Sequence, residues 1–443
     1  MKVLIKLALA LALATPALAQ QGEDIFPFDY RLVELENGFK AYLIEAGAPN
    51  QIAYVSMVRT GSRDEWEPGR TGFAHFFEHM MFRGTEKYPN YDEVTTEIGA
   101  ARNAFTGNDQ TVYYLVASNE YLEQIMDLES DRFMNLQYSE SDFRTEAGAV
   151  LGEYQQSATT PRGFLREKVR ETAYDRHTYR HTTIGFEADV RAMPEGYDYS
   201  LSFHQRYYRP ENVVLVVAGD FDVDAAEGLV RQYYADWEPG YVPPQIPSEP
   251  TQQAPRRETV EYQGRTLPVL TVNYKGPAWS ATDKLAVASE VLGQVAFGQN
   301  SDLYKKLVIE ERRVQSLNGD FGLARDPALL TVRSMVVDPA DVGSVEQEIQ
   351  ATVQRFRDEL VDEKLFADTK SNMKYGFLMG LETAQNVAFS MIRYVINTGG
   401  IEAVDQYYNT LDSVTREDVR EAARRYLVES GKTVVTMVQA EGE

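Results

Sequence analysis

Cysteine is missing altogether from the 443 residues, and histidine and tryptophan are scarce, at five and three. Without cysteine there is no disulfide, no thiol nucleophile and no thiolate zinc cluster. Any metal must be held by imidazole or carboxylate, and stability must come from core packing. Basic residues are also few: 44 Lys and Arg against 67 Asp and Glu leave a formal charge of −23. A surface of that sign repels phosphate backbones, which argues against a nucleic-acid partner. It would attract basic peptides, or simply confer solubility. Beyond the N-terminal segment no apolar run is long enough to cross a membrane, and no glycine-rich phosphate cradle follows a strand-like run.

That N-terminal segment is "MKVLIKLALALALATPALAQ". Lys2 and Lys6 give a positive start, an apolar run follows, and Ala17-Leu18-Ala19 is a small-x-small cleavage site. This pattern predicts a signal peptide over residues 1–19 and an exported protein, in a bacterial periplasm or secreted. The remaining length calls for more than one domain. "EPGYVPPQIPSEPTQQAP" carries six prolines with almost no apolar periodicity. We read residues 238–258 as a linker between an N-terminal domain, 20–237, and a C-terminal one, 259–443. Both halves close alike. "MPEGYDYSLSFHQRYYRPENVVLVVAGDF" and "VTREDVREAARRYLVESGKTVVTMVQA" each run amphipathic helix, tyrosine, turn, then a β-branched strand, as duplicated domains would.

"FKAYLIEA" and "QIAYVSMVRTG" alternate as half-buried antiparallel strands do, and "NAFTGNDQTVYYLVAS" reads as a hairpin turning at Gly107-Asn108-Asp109. "NEYLEQIMDLESDRFMN" has helical spacing. The expectation is an α+β fold of two homologous domains. Each would be a mainly antiparallel sheet with helices on one face, and the Pro-rich linker would join them.

Two of the five histidines stand in "TGFAHFFEHMMFRGT". In a helix, His75 and His79 lie about 40° apart around the axis, so both rings can address one ion. Glu78 sits beside the same point. Zinc hydrolases need neutral nitrogen ligands, an open coordination position and a carboxylate to take a proton from water. His75, His79 and Glu78 provide them in the order H-x-x-E-H, an inversion of the commoner H-E-x-x-H. The bland alternative is two core histidines on an amphipathic helix. With no cysteine, the third ligand should be acidic or histidine. "DFRTEAGAVLGEYQQSATTP" offers Glu146 and Glu153, two helical turns apart and on one face. One could bind metal while the other supports a ligand histidine, and spacing does not choose between them. His177 and His181 are also four apart but lack an acidic partner between them, and read as a loop lining the cleft. Trp66, Trp237 and Trp279 read as packing residues.

These blocks, "GFAHFFEHMMFRGT", "GARNAFTGNDQTVYY", "EAGAVLGEYQQS", "HTTIG" and "YYRPENVVLVVAGDF", resemble in order the pitrilysin family. That family is the zinc peptidases typified by insulin-degrading enzyme and mitochondrial processing peptidase. The resemblance implies one Zn2+ per chain. It implies that Glu153, at the family's distance beyond the second histidine, is the third ligand and Glu146 its supporting carboxylate. It also implies that Asn103, Ala104, Phe105 and Thr106 form a sheet-edge strand on which an extended peptide adds as a further strand.

The second half departs from the pattern. Active members carry an Arg and, at i+7, a Tyr facing the zinc, which hold substrate and stabilise the oxyanion. In "GQNSDLYKKLVIEERRVQSLNG", aligned on Gly298, Ser301, Leu303 and Leu307, those positions hold Val308 and Gln315. Family members of this length build their closed chamber by pairing two chains. The resemblance therefore implies a zinc endopeptidase subunit in a heterodimer whose homologous partner supplies the Arg–Tyr pair. Two other functions compete. One is a non-catalytic structural or assembly subunit, against which the intact motif argues. The other is a hydrolase of non-peptide amides using the same metal centre, whose small substrate would gain nothing from an edge strand.

Overall fold

The computed structural model describes residues 24–47 and 49–440. The expected signal peptide lies outside them. Among the described residues no helix is long and apolar enough to cross a membrane.

Two sheets organise the chain. The first contains β1 (Tyr30–Glu34), β2 (Lys40–Glu45), β3 (Gln51–Val58), β4 (Ala101–Thr106), β5 (Thr111–Ser118) and β6 (Val213–Gly219), in the order β1-β2-β6-β3-β5-β4. The second contains β7 (Arg256–Tyr262), β8 (Val269–Lys275), β9 (Val314–Asp320), β10 (Leu329–Val336) and β11 (Lys432–Gln439), in the order β7-β11-β8-β10-β9. Apart from β1 the plans coincide. In each, the last strand inserts beside the first in parallel, as β2–β6 and β7–β11, and every other pairing is antiparallel. The inserted strands are the two β-branched runs that close the matching sequence endings. Each follows a helix and a short 3-10 turn, Pro210–Asn212 or Glu429–Gly431. The fold is α+β and doubled.

The strands expected to be half-buried are not. β2 is buried from Ala41 to Ile44 and β3 from Ile52 to Val58, Ser56 included, and β6 is buried throughout. Alternate residues feed opposite cores: Tyr54, Tyr113 and Leu215 pack under the first half's helices, whereas Val55, Met57 and Val216 join the core of the second half. The reason is an exchange of helices. Ala384–Thr398, from the second half, lies across β3 and β6 and buries Val387, Met391 and Val395 there. Phe389 meets Tyr114 edge-on at 4.8 Å. In return Pro161–Ala173, from the first half, packs Leu165 and Val169 against Val269, Val435 and Met437 of the second sheet. Each sheet thus has its own helices on one face and a lent helix on the other. Polar atoms in the strands, such as the Ser56 hydroxyl, disguise this in the hydropathy pattern.

Residues 237–255 carry neither helix nor strand, and β7 begins at Arg256, inside the proline-rich segment 238–258. The segment is nevertheless pinned. The Glu249 carboxylate accepts backbone N–H bonds from Asp175, Arg176 and His177 and one from Lys275 Nζ.

Candidate metal centre

The helix Phe73–Met80 is built to show one polar face. Phe73, Ala74, Phe76, Phe77 and Met80 are buried, and His75, Glu78 and His79 lie on the side left half-open. The helix starts at Gly72, whose φ of +95° suits glycine, and a Cβ there would stand 2.4 Å from the Ile184 carbonyl oxygen. Behind it, the buried Glu65 carboxylate accepts from the Gly72 N–H at 2.8 Å and the Ala74 N–H at 2.7 Å, taking two of the orphan donors of the first turn. Burial drives the Glu65 carboxyl well above its usual range, and those two donors oppose the shift.

His75 and His79 face one another with ring centroids 4.8 Å apart. His79 Nδ1 lies 2.8 Å from Glu146 Oε1, and Arg83 donates to Glu146 Oε2 at 2.6 Å. The hydrogen bonds to His79 and Arg83 lower the Glu146 carboxyl below its usual range against the opposing effect of burial. An ionised carboxylate only accepts, so Nδ1 of His79 carries the proton and Nε2 presents a lone pair. The same bond raises His79. His75 is different: burial and the neighbouring imidazole push it down to about 4, which keeps it neutral.

The helix Glu140–Ala158, started by a Ser139–Asp142 capping box, brings Glu153 opposite the two rings. His75 Nε2 lies 3.5 Å from Glu153 Oε2, and His79 Nε2 lies 3.6 Å from Glu153 Oε1. One ligand atom from each of the three residues falls within 4.8 Å of the others. Ligands at about 2.1 Å from a tetrahedral ion are about 3.4 Å from one another. The two nitrogens and the oxygen therefore fit around a zinc ion. Glu153 is the exposed member of the set, which leaves the open side toward solvent.

Glu78 points to the same cleft and accepts from Thr106 Oγ1 at 2.6 Å. Burial raises its carboxyl, and the Thr106 bond opposes that rise. Thr106 ends β4, the outermost strand of the first sheet. Of the four residues assigned to substrate, only Thr106 reaches this helix with a polar side chain. Ala104 is buried in the core beneath it, and Phe105 turns to the opposite face toward Phe389, at 6.2 Å. Asn103 is exposed, and its Oδ1 takes the Ala104 N–H at 2.9 Å. That N–H is therefore aimed off the β5 ladder, toward the free edge. What β4 offers is main chain rather than side chains.

Other expectations resolve differently. His177 and His181 are buried where the halves meet and take no part in the metal cluster. His177 Nε2 lies 3.0 Å from Asp326 Oδ2, and His181 Nδ1 bonds the Thr182 carbonyl. Val308 is half-buried against the second core, and Gln315 is exposed on β9. Trp237 and Trp279 are buried, as expected of packing residues, and Trp66 is half-buried. Sequence reasoning missed Arg83 and Glu65. Arg83 at i+4 from His79 could have been read as a helix-end partner for Glu146, whereas nothing local marked Glu65 as a cap.

Residues 42–186 match the model of the insulinase family (peptidase family M16), and residues 197–373 match the model described as the M16 inactive domain. The chain belongs to peptidase family M16, a family of zinc metallopeptidases. It is 25% identical over 417 residues to the zinc protease PqqE of Helicobacter pylori, an alignment spanning 91% of each chain. Among solved structures, a protease from Helicobacter pylori superposes with a TM-score of 0.85 at 23% identity, over 93% of this chain and 99% of that one. The periplasmic protease PqqL of Escherichia coli superposes with a TM-score of 0.75 at 18% identity. There 94% of this chain covers only 48% of the other.

Proposed function

We propose that the chain is a zinc endopeptidase acting on extended peptides or unfolded segments. The observation that carries this reading is the convergence of His75 Nε2, His79 Nε2 and a Glu153 oxygen, with Glu78 beside them. Zinc, when bound, supplies a Lewis acid that polarises the scissile carbonyl and acidifies water. Glu78 takes the proton from the attacking water and delivers it to the leaving amine. Its raised carboxyl suits both tasks, and Thr106 aims it. Glu146 fixes the tautomer of His79, and the outer edge of β4 holds peptide main chain. In Glu78→Gln, peptide turnover should fall by about 10³-fold or more, the scale of a lost general base, while stoichiometric zinc is retained. Turnover at the wild-type rate would remove Glu78 from the chemistry.

Val308 and Gln315 stand where the resemblance expects Arg and Tyr. The fold also fills about half of a longer relative. Both facts support a heterodimer in which a homologous chain supplies those two groups, in an exported, periplasmic setting that the leader-like N-terminus suits. Assay of the chain alone and with a co-purifying partner tests this, and full activity of the lone chain defeats it. The match of residues 197–373 to an inactive-domain model favours a second reading, a non-catalytic assembly subunit. Zinc analysis separates the two, since a scaffold has no need to retain metal.

A further inference from the structure

The β4–β5 hairpin is held from outside as well as by its own turn. Within the turn, Gly107 N–H donates to the Gln110 carbonyl at 2.8 Å. From the loop after β3, Ser62 N–H donates to Gly107 O at 3.2 Å and Arg63 N–H to Asn108 O at 2.7 Å. That approach needs Gly61, because a Cβ there would stand 2.5 Å from both carbonyl oxygens. Arg170, on the lent helix Pro161–Ala173, donates to Asn108 Oδ1 at 3.0 Å.

The deepest hold is on Asp109, which is only 5% exposed although it sits at a hairpin tip. Its Oδ1 accepts from Tyr179 OH at 2.7 Å, and its Oδ2 accepts from the backbone N–H of Arg325 at 3.0 Å. The Arg325 guanidinium adds bonds to the Asp109 carbonyl at 3.2 Å, to Ile396 O at 2.8 Å and to Arg59 O at 3.1 Å. Asp326 N–H donates to Tyr179 OH at 3.2 Å. Arg325 and Asp326 belong to the β9–β10 connection, so the second half of the chain grips the hairpin of the first. A carboxylate withdrawn from water at a turn is costly unless its oxygens are satisfied, and here both are.

Thr106, the donor to Glu78, lies three positions before Asp109. Among the described residues β4 is an edge strand that pairs only with β5, so no second strand fixes its outer side. We propose that Asp109 is a positioning residue. Held by Tyr179 and Arg325, it fixes the β4–β5 hairpin where Thr106 Oγ1 meets Glu78, so the second half of the chain helps to place the base and the edge strand. The kinetic consequence rests on the endopeptidase reading above; the hold on the hairpin does not.

Hydrogen exchange on the full chain tests the hold directly. In Asp109→Ala, amides of residues 103–110 should exchange at least about tenfold faster while those of 73–80 are unchanged, with zinc affinity within about twofold of wild type. Unchanged exchange at 103–110 overturns the proposal. Turnover should fall about tenfold or more from the misplaced donor. Because Asp109 acts through Thr106, the double variant with Thr106→Ala should lose no more kcat than Thr106→Ala alone, and losses that multiply overturn the proposal. Asp109→Asn can still accept from Arg325 while its amide donates to Tyr179 OH, so it should restore slow exchange and at least half of the turnover. If Asp109→Ala does not fold, Arg325→Ala takes its place in the same measurements. A wild-type chain that cleaves no peptide, alone or with a partner, defeats the endopeptidase reading, and the exchange comparison then decides this proposal alone.

Discussion

The first α-helix after the equivalent strands β3 and β8 differs completely between the two halves, although the sheets beneath share one strand order apart from β1. In the first half Phe73–Met80 leaves His75, Glu78 and His79 half-open over a cleft. In the second, Lys284–Phe297 is buried along nearly its whole length and has no histidine. Its one buried charge, Glu290, is consumed internally, accepting from Tyr407 OH at 2.6 Å and pairing with Arg393. All five histidines of the chain fall in the first half. The duplicated scaffold is therefore separable from the chemistry. What distinguishes the copies is whether a helix face is left uncovered, because a ligand set needs access and a core helix needs none. The second copy contributes differently, through a covering helix and the grip of Arg325.

Four experiments can break or sharpen this contrast. The largest effect is expected from His75→Ala or Glu153→Ala, either of which should abolish stoichiometric zinc after dialysis. Zinc kept by both variants would place metal elsewhere and end the asymmetry between the halves. Next is Met391→Ala, in the helix lent to the first sheet, which should cost about 2–5 kcal/mol and lower one unfolding transition common to both halves. Two separate transitions would mean that the exchanged helices do not couple the halves. Glu146→Gln should weaken zinc binding about 10–100-fold by releasing the His79 tautomer, with the fold intact. An unchanged affinity would reduce Glu146 to a surface partner of Arg83.

The smallest effect is on pH. His79 is raised and Glu146 lowered by the bond they share. A raised histidine stabilises the metal-free chain below its unfolded pKa, and that contribution is lost as pH rises through the folded value. A depressed carboxyl stabilises above its unfolded pKa and loses that as pH falls. The pair therefore stabilises the metal-free chain most between about pH 4.5 and 6.5. Zinc must displace the His79 proton, whereas His75, held down to about 4, has none to lose in that window. The logarithm of zinc affinity should thus climb by about one unit per pH unit there. A slope of two, in competition titrations across that window, would mean that both histidines titrate alike.

Much of this was legible beforehand. The hairpin at Gly107–Asp109 and the closing β-branched strands announced themselves through turn residues and β-branching, which act over a few positions. The histidine pair did so through the helical period. The burial of β3 and β6 on both faces did not, because it depends on a helix from residues 384–398 that no local pattern ties to them. Glu65 as the cap of the site helix and Asp109 as a buried turn carboxylate were equally silent, since each takes its meaning from partners distant in sequence.

By itself the sequence determined that any metal here must rest on imidazole and carboxylate, and that His75, Glu78 and His79 share a helical face. Composition and a 3.6-residue period suffice for both. Only the tertiary structure decided which of two equivalent-looking glutamates turns to the Nε2 atoms and which to Nδ1 and Arg83. It alone also decided that one copy of a repeated sheet keeps an open helix face. Those outcomes depend on which apolar faces are buried against each other, and that is settled only when segments far apart in the chain meet.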